Sequence, residues 1–252
     1  MQYLITESDK VFEGEHFTGN IGAEMIHPDG KPYRTFRTQT VLAEGHRLTF
    51  KNCTFENTAG PGKLVGQAIA LYLDGDDIRL ENCTILGYQD SLFLAPLPKK
   101  EQEKGGFTGP MEGEPRKERT FYLKNCRIEG GVDFIFGGAT AYFDDCVFVS
   151  REPGYVFAPS TPVEVETGFV ARNCRFERAA DLPDDSCYIA RPWRIYAKVR
   201  LENCFLDSHI CPEGFHDWDK PEAHETTVFE EYGSYGPGAD KAARPDWVRF
   251  EK

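Results

Sequence analysis

The chain has 252 residues, 40% of them hydrophobic and 13% aromatic, which suffices for a substantial buried core and rules out compositional disorder. Asp and Glu outnumber Lys and Arg by 41 to 29, a formal charge of -12. That balance excludes binding to nucleic acid or to an anionic membrane through basic electrostatics, and no apolar run approaches the ~20 residues of a membrane span. The first ten residues, Met1 to Lys10, lack a basic stretch followed by an apolar one, so a cytoplasmic location is expected unless a leader has been removed.

Six of the eight cysteines share one setting: an apolar–polar–apolar run, then a polar pair with Asn or Asp, then Cys, as in Leu48-Thr-Phe-Lys-Asn-Cys53 and Phe121-Tyr-Leu-Lys-Asn-Cys126. The others are Cys83, Cys146, Cys174 and Cys204, at successive intervals of 30, 43, 20, 28 and 30 residues. Period-two alternation over such short runs marks half-buried strands, and Asn or Asp suits a bend between them. A repeat of this length without helical periodicity predicts an all-β solenoid in one domain over 1–252, with each Cys packed inward at the same bend. The cysteines are therefore expected to be free thiols, and Asn52 and Asn82, although in Asn-Cys-Thr sequons, to be structural. The 43-residue interval predicts an excursion over about 95–119, rich in Pro, Gly, Lys and Glu. From about residue 212 the repeat fades, predicting a cap and tail packed along the solenoid.

Along this repeat, Gln67 interrupts an apolar stretch, Gly66-Gln67-Ala68-Ile69-Ala70. Two further segments place an Asp among apolar residues: Gly87-Tyr88-Gln89-Asp90-Ser91-Leu92-Phe93 and Gly131-Val132-Asp133-Phe134-Ile135-Phe136-Gly137. Each Asp follows its repeat Cys by seven residues, which puts both on one face of successive coils about 4.8 Å apart. Two such carboxylates either form an Arg-paired ladder or titrate apart, leaving an acid beside a nucleophile or base. Arg191-Pro192-Trp193 is the third unusual segment. His209-x-Cys211-x4-His216 fits no common metal spacing, and neither metal nor cofactor is expected.

Gln67-Ala68, Gly87-Tyr-Gln-Asp90, Gly131-Val-Asp-Phe-Ile-Phe-Gly137 and Arg191-Pro-Trp193, in this order, resemble the pectin methylesterases, and the likeness runs from about Arg34 to Gly238. The resemblance implies a right-handed parallel β-helix that removes C6 methyl esters from galacturonate units. It implies Asp133 as nucleophile, Asp90 as acid and then base, Gln67 and Gln89 as oxyanion donors, and Arg191 as the partner of Asp133. Trp193 is expected against a sugar ring, with Phe36, Tyr88, Phe134 and Trp218 as further groove candidates. The chain departs from the family at Ala190, where Gly is common, and at Phe215, where Trp is common. Methyl-esterified galacturonan or its oligomers are the implied partner, with no nucleic acid, membrane or protein partner expected. The negative charge, with no strong reversal among the named groove residues, favours short methylated oligomers over polymer. Rival readings are a β-helical lyase or galacturonase, recognised by chain cleavage, and a sugar-binding solenoid, recognised by lack of turnover.

Overall fold

The bend before each repeat Cys explains the repeat. In the computed structural model, which describes residues 1–250, Asn52, Asn82, Asn125, Asp145, Asn173 and Asn203 all have φ between 51° and 55°. Asn and Asp are the non-glycine residues that tolerate this left-handed region best. Their amides also link the coils: Asn125 Nδ2 donates to Asn82 Oδ1 at 2.7 Å, and Asn82 Nδ2 to Asn52 Oδ1 at 3.4 Å. The following Cys turns inward, and its thiol donates to a carbonyl of the coil before, as from Cys83 to Phe50 at 3.3 Å.

Each coil contributes three short strands, which stack in parallel into two seven-stranded sheets and one nine-stranded sheet of a right-handed β-helix. Equivalent side chains lie above one another. One inward row runs Phe50, Leu80, Leu123, Phe143, Ala171, Leu201 in strict register, large beside small. Burying each Phe of such a row contributes about 2–3 kcal/mol, so stability is distributed along the stack.

All eight cysteines are buried and unpaired. Added reductant is therefore expected to leave the melting temperature unchanged. A drop of several degrees in a thermal scan would show cross-links that this packing does not contain.

Three features add to the sequence-level expectation. Residues 3–19 form a complete first coil of strands Tyr3–Ile5, Val11–Glu13 and His16–Gly19. The tail beyond 212 is more than a cap, because Val228–Tyr232 and Arg249–Phe250 extend the nine-stranded sheet. The 95–119 excursion has a core of its own. Phe107 and Met111 are buried with Phe36 against an outward row of one seven-stranded sheet, Leu42, Tyr72, Phe93, Phe136. Its exit is tied down by the Arg119–Asp74 ion pair at 3.2 Å and by Thr120 N donating to Asp76 Oδ1 at 2.9 Å.

Candidate active site

The same outward row leads to the site. Register pairs Leu92 with Ile135, so Asp90 and Asp133, two residues earlier on each coil, fall side by side. Although set among apolar residues, both stand outside the strands, at a corner two residues before one, with φ of 62° and 50°. The left-handed corner breaks the in–out alternation and turns the carboxylates into a cleft of about 560 Å³, against two carboxylates that an extended chain would aim at the core.

Arg191 follows the strand Cys187–Ala190 and reaches Asp133 with both edges of its guanidinium: Nε donates to Oδ1 at 2.8 Å and Nη2 to Oδ2 at 2.6 Å. The pair is largely buried, with side-chain exposures of 15% and 10%. A bidentate, charge-assisted pair of this kind holds its carboxylate in the ionised form. Burial pushes Asp133 upward from the ordinary carboxylate range, and the Arg191 hydrogen bonds and charge, with the Lys220 charge, pull it back. Asp90 has no such partner. Burial, with the charge of Asp133 added, pushes Asp90 well above the ordinary range, against a weaker pull from Arg191. Burial thus raises both carboxyls, but Arg191 offsets it far more at Asp133, so Asp90 is the readier of the two to hold a proton and Asp133 the readier to ionise.

Gln67 and Gln89 line the same cleft, brought together by Ala68 N donating to Gln89 O at 3.1 Å. Gln67 lies after the helical turn Gly62–Val65 and before the strand Leu71–Leu73, outside any strand. The close approach calls for glycine at Gly62, where a Cβ would fall 2.7 Å from Gln89 Cβ. Among the described residues neither side-chain amide has a protein hydrogen-bond partner, so their N–H groups are available to a ligand.

The aromatic candidates divide. Trp193 and Trp218 line the cleft; Phe36 lines it too, yet is only 3% exposed and packs beneath Trp193 and on Phe107. Phe134 is wholly buried inside the solenoid, because it and Ile135 both point inward after the corner at Asp133. Tyr88 is outside the cleft lining, its ring covered by the Arg151 guanidinium at 4.4 Å. Phe215 stacks on Phe229 in the interior, so its difference from Trp does not touch the cleft.

The cleft also carries cations that the motifs do not contain. Arg34, in the lining, donates from Nη1 to Lys104 O at 3.1 Å; Arg194, likewise, donates from Nη2 to Lys100 O at 3.2 Å. Lys220 donates to Pro192 O at 2.8 Å, its ammonium pulled down to about 8 by burial and by Arg194 and Arg191. In the lining, Arg34 and Arg194 offset Glu24 and Glu103, and Arg191 is paired with Asp133, so the cleft is less acidic than the protein of charge -12 as a whole.

Among the described residues His209, Cys211 and His216 do not gather into one ligand set. His209 is buried with neither ring nitrogen partnered. His216 instead neighbours Asp217 and Asp219, where the loop's own bonds account for the cluster: Trp218 N donates to His216 Nδ1, and His224 Nε2 meets Asp217 Oδ2, each at 2.9 Å.

A parallel β-helix whose outer face carries a buried carboxyl, an arginine-held carboxylate and free amide donors in one open cleft defines the class of solenoid to which the chain belongs. The pectinesterase family profile matches residues 11–97 and 115–252, breaking over the excursion. Pectinesterase 31 of Arabidopsis thaliana is 33% identical over 216 residues, 85% of this chain. Among solved structures, the pectin methylesterase of Aspergillus niger superposes with a TM-score of 0.80 at 26% identity, covering 100% of this chain and 77% of that one. The carrot pectin methylesterase gives 0.77 at 27%, covering 100% and 80%. The chain belongs to the pectinesterase family. It spans under two thirds of the length of the curated relatives it matches, 60% of Pectinesterase 31 and 43% of another Arabidopsis relative.

Proposed function

We propose that this chain hydrolyses the C6 methyl esters of galacturonate units in methyl-esterified galacturonan or its oligomers. The observation that carries the reading is the arginine-held Asp133 beside a buried Asp90, whose carboxyl burial and the Asp133 charge push upward, in an open cleft. An Asp133 oxygen attacks the ester carbonyl carbon, and the negative charge gathers on the carbonyl oxygen, where the Gln67 and Gln89 amides donate. As the C–OCH3 bond breaks, Asp90 gives its proton to the departing oxygen and methanol leaves. The acyl group is then an anhydride on Asp133. Asp90, now a carboxylate, takes a proton from water as the water oxygen attacks the acyl carbon, and Asp133 departs ionised. Arg191 keeps Asp133 in the attacking form throughout, and Trp193 offers a flat apolar face to a sugar ring.

Arg34 and Arg194 in the lining suit the carboxylates that the reaction itself leaves on the chain, so polymer and oligomer are both accepted in this reading. Methanol release from highly methylated pectin and from short methylated oligogalacturonides tests it; no methanol from either overturns it. Within the same assay, Gln67→Ala is expected to lower kcat by ~10²–10³ with little change in KM. A variant with native kcat would remove Gln67 from the oxyanion site.

A further inference from the structure

Arg191 is held on its faces as well as on its edges. Its guanidinium carbon lies 3.8 Å from the centroid of the Tyr155 ring and 3.6 Å from that of Trp218. Behind Tyr155 the ring of Tyr188 stacks at 5.3 Å and 13°, in register on the next coil. Behind Trp218 stands Lys220, its ammonium 4.3 Å from the indole centroid and bonded to the carbonyls of Pro192 and Trp193. Rings and cations thus form one column, with Tyr188 and Tyr155 stacked on one face of Arg191 and Trp218, then Lys220, on the other. The column is tied to the site by the backbone too, since Phe134 N donates to Tyr155 O at 3.4 Å and Arg191 N to Phe157 O at 3.0 Å.

In-plane hydrogen bonds to a carboxylate leave a guanidinium free to tilt about the axis joining the two groups. Two rings pressed on its faces remove that motion, because a tilt would drive the nitrogens into one ring and open a gap at the other. Tyr155 supplies this contact from a half-buried position on the outer face of the sheet, outside the interior core. Among the described residues its hydroxyl makes no hydrogen bond, so the ring is the part in use. Nothing in the motifs around Asp133 or Arg191 names this residue; coil stacking alone delivers it.

We propose that Tyr155 is a positioning residue for the ester hydrolysis. It clamps the face of Arg191, and through Arg191 it keeps Asp133 ionised and aimed into the cleft. The inference rests on Asp133 being the nucleophile. The charged groups facing Asp133 are Asp90, Arg191 and Lys220, and of these only Arg191 is held by the Tyr155 ring.

The test uses the full chain with 13C-labelled aspartate carboxyls, the Asp133 signal being assigned by its loss in Asp133→Asn. Native protein, Tyr155→Phe and Tyr155→Leu are compared by carboxyl titration and by methanol release. For Tyr155→Leu the Asp133 midpoint is expected to rise by about one pH unit or more, and the acid limb of the rate profile to move up with it. Its kcat is expected to fall ~10²-fold while KM stays near native, the signature of a misplaced nucleophile. Tyr155→Phe is expected to restore both midpoint and kcat. An unchanged Asp133 midpoint in folded Tyr155→Leu, or a Tyr155→Phe variant as impaired as Tyr155→Leu, overturns the proposal. Should Tyr155→Leu fail to fold, Trp218→Leu carries the same titration from the other face, where a raised midpoint supports the clamp and an unchanged one sinks it. If the native chain releases no methanol the esterase reading fails, while the titration still decides whether the ring governs Asp133.

Discussion

Asp133→Asn is expected to lower methanol release by at least ~10⁴-fold, since the amide cannot form the acyl intermediate and the remaining cleft can only bind and polarise the ester. The loss should fall on kcat, with KM for a methylated oligomer little altered, because Trp193 and the cations around the cleft are untouched. Folding should persist. Arg191 loses a charged partner, which in a fully buried pair costs about 3–5 kcal/mol. Here Asn keeps one acceptor in place, the two ring faces remain, and the guanidinium retains 15% exposure, so a melting temperature lowered by a few degrees is the expected cost. Single-turnover assays separate the effects: a folded variant that still produces methanol at near-native rate would remove Asp133 from the chemistry and point to Asp90 or to water as attacking group.

Asp90→Asn should cost ~10²–10⁴ in rate, because neither the methoxide nor the attacking water has a proton partner. Its effect on stability has the opposite sign and depends on pH. The unfolded chain releases the Asp90 proton near pH 4, whereas the folded chain retains it because of burial and the nearby Asp133 charge. Between the two midpoints the folded state binds more protons than the unfolded, so native stability declines as pH rises through that window. Asn, shaped like the protonated acid and unable to ionise, escapes the decline. The melting temperature of Asp90→Asn relative to native is therefore expected to be near zero at pH 4 and to grow more positive toward pH 7. A difference that stays flat with pH would mean that Asp90 is already ionised in the native cleft, and its role as proton donor would fall with it.

The coil repeat was legible because it rests on local chemistry. Asn or Asp is needed at a left-handed bend and a small apolar residue after it, so Asn-Cys recurs whatever lies between. The equal seven-residue offsets of Asp90 and Asp133 survive into the structure for the same reason: register in a parallel stack copies spacing from one coil to the next. Side-chain direction was less legible where that regularity breaks. Phe134 follows a residue with φ of 50°, and strict alternation does not carry through such a corner, so a ring assigned to the groove lies in the core. Phe36 and Tyr88 show the limit of composition: an aromatic near a motif packs as readily on Phe107 or under Arg151 as on a sugar. The core of the excursion was hidden because Phe107 and Met111 are scattered among Pro, Gly and charge, with no period to mark them. Arg34 and Arg194 were missed as cleft cations because what places them is contact with the carbonyls of that same excursion.

The stacked thiols carry a consequence for how the molecule comes apart. Cys53, Cys83, Cys126, Cys146, Cys174 and Cys204 stand one to a coil, each sealed from solvent by its own coil and the one before. A solenoid holds together through neighbours alone, so fraying at either end lays bare the terminal sulfur while those in the middle stay shielded. The chain thus carries a graduated scale along its axis, on which the order of alkylation by a small thiol reagent records the order in which the coils open.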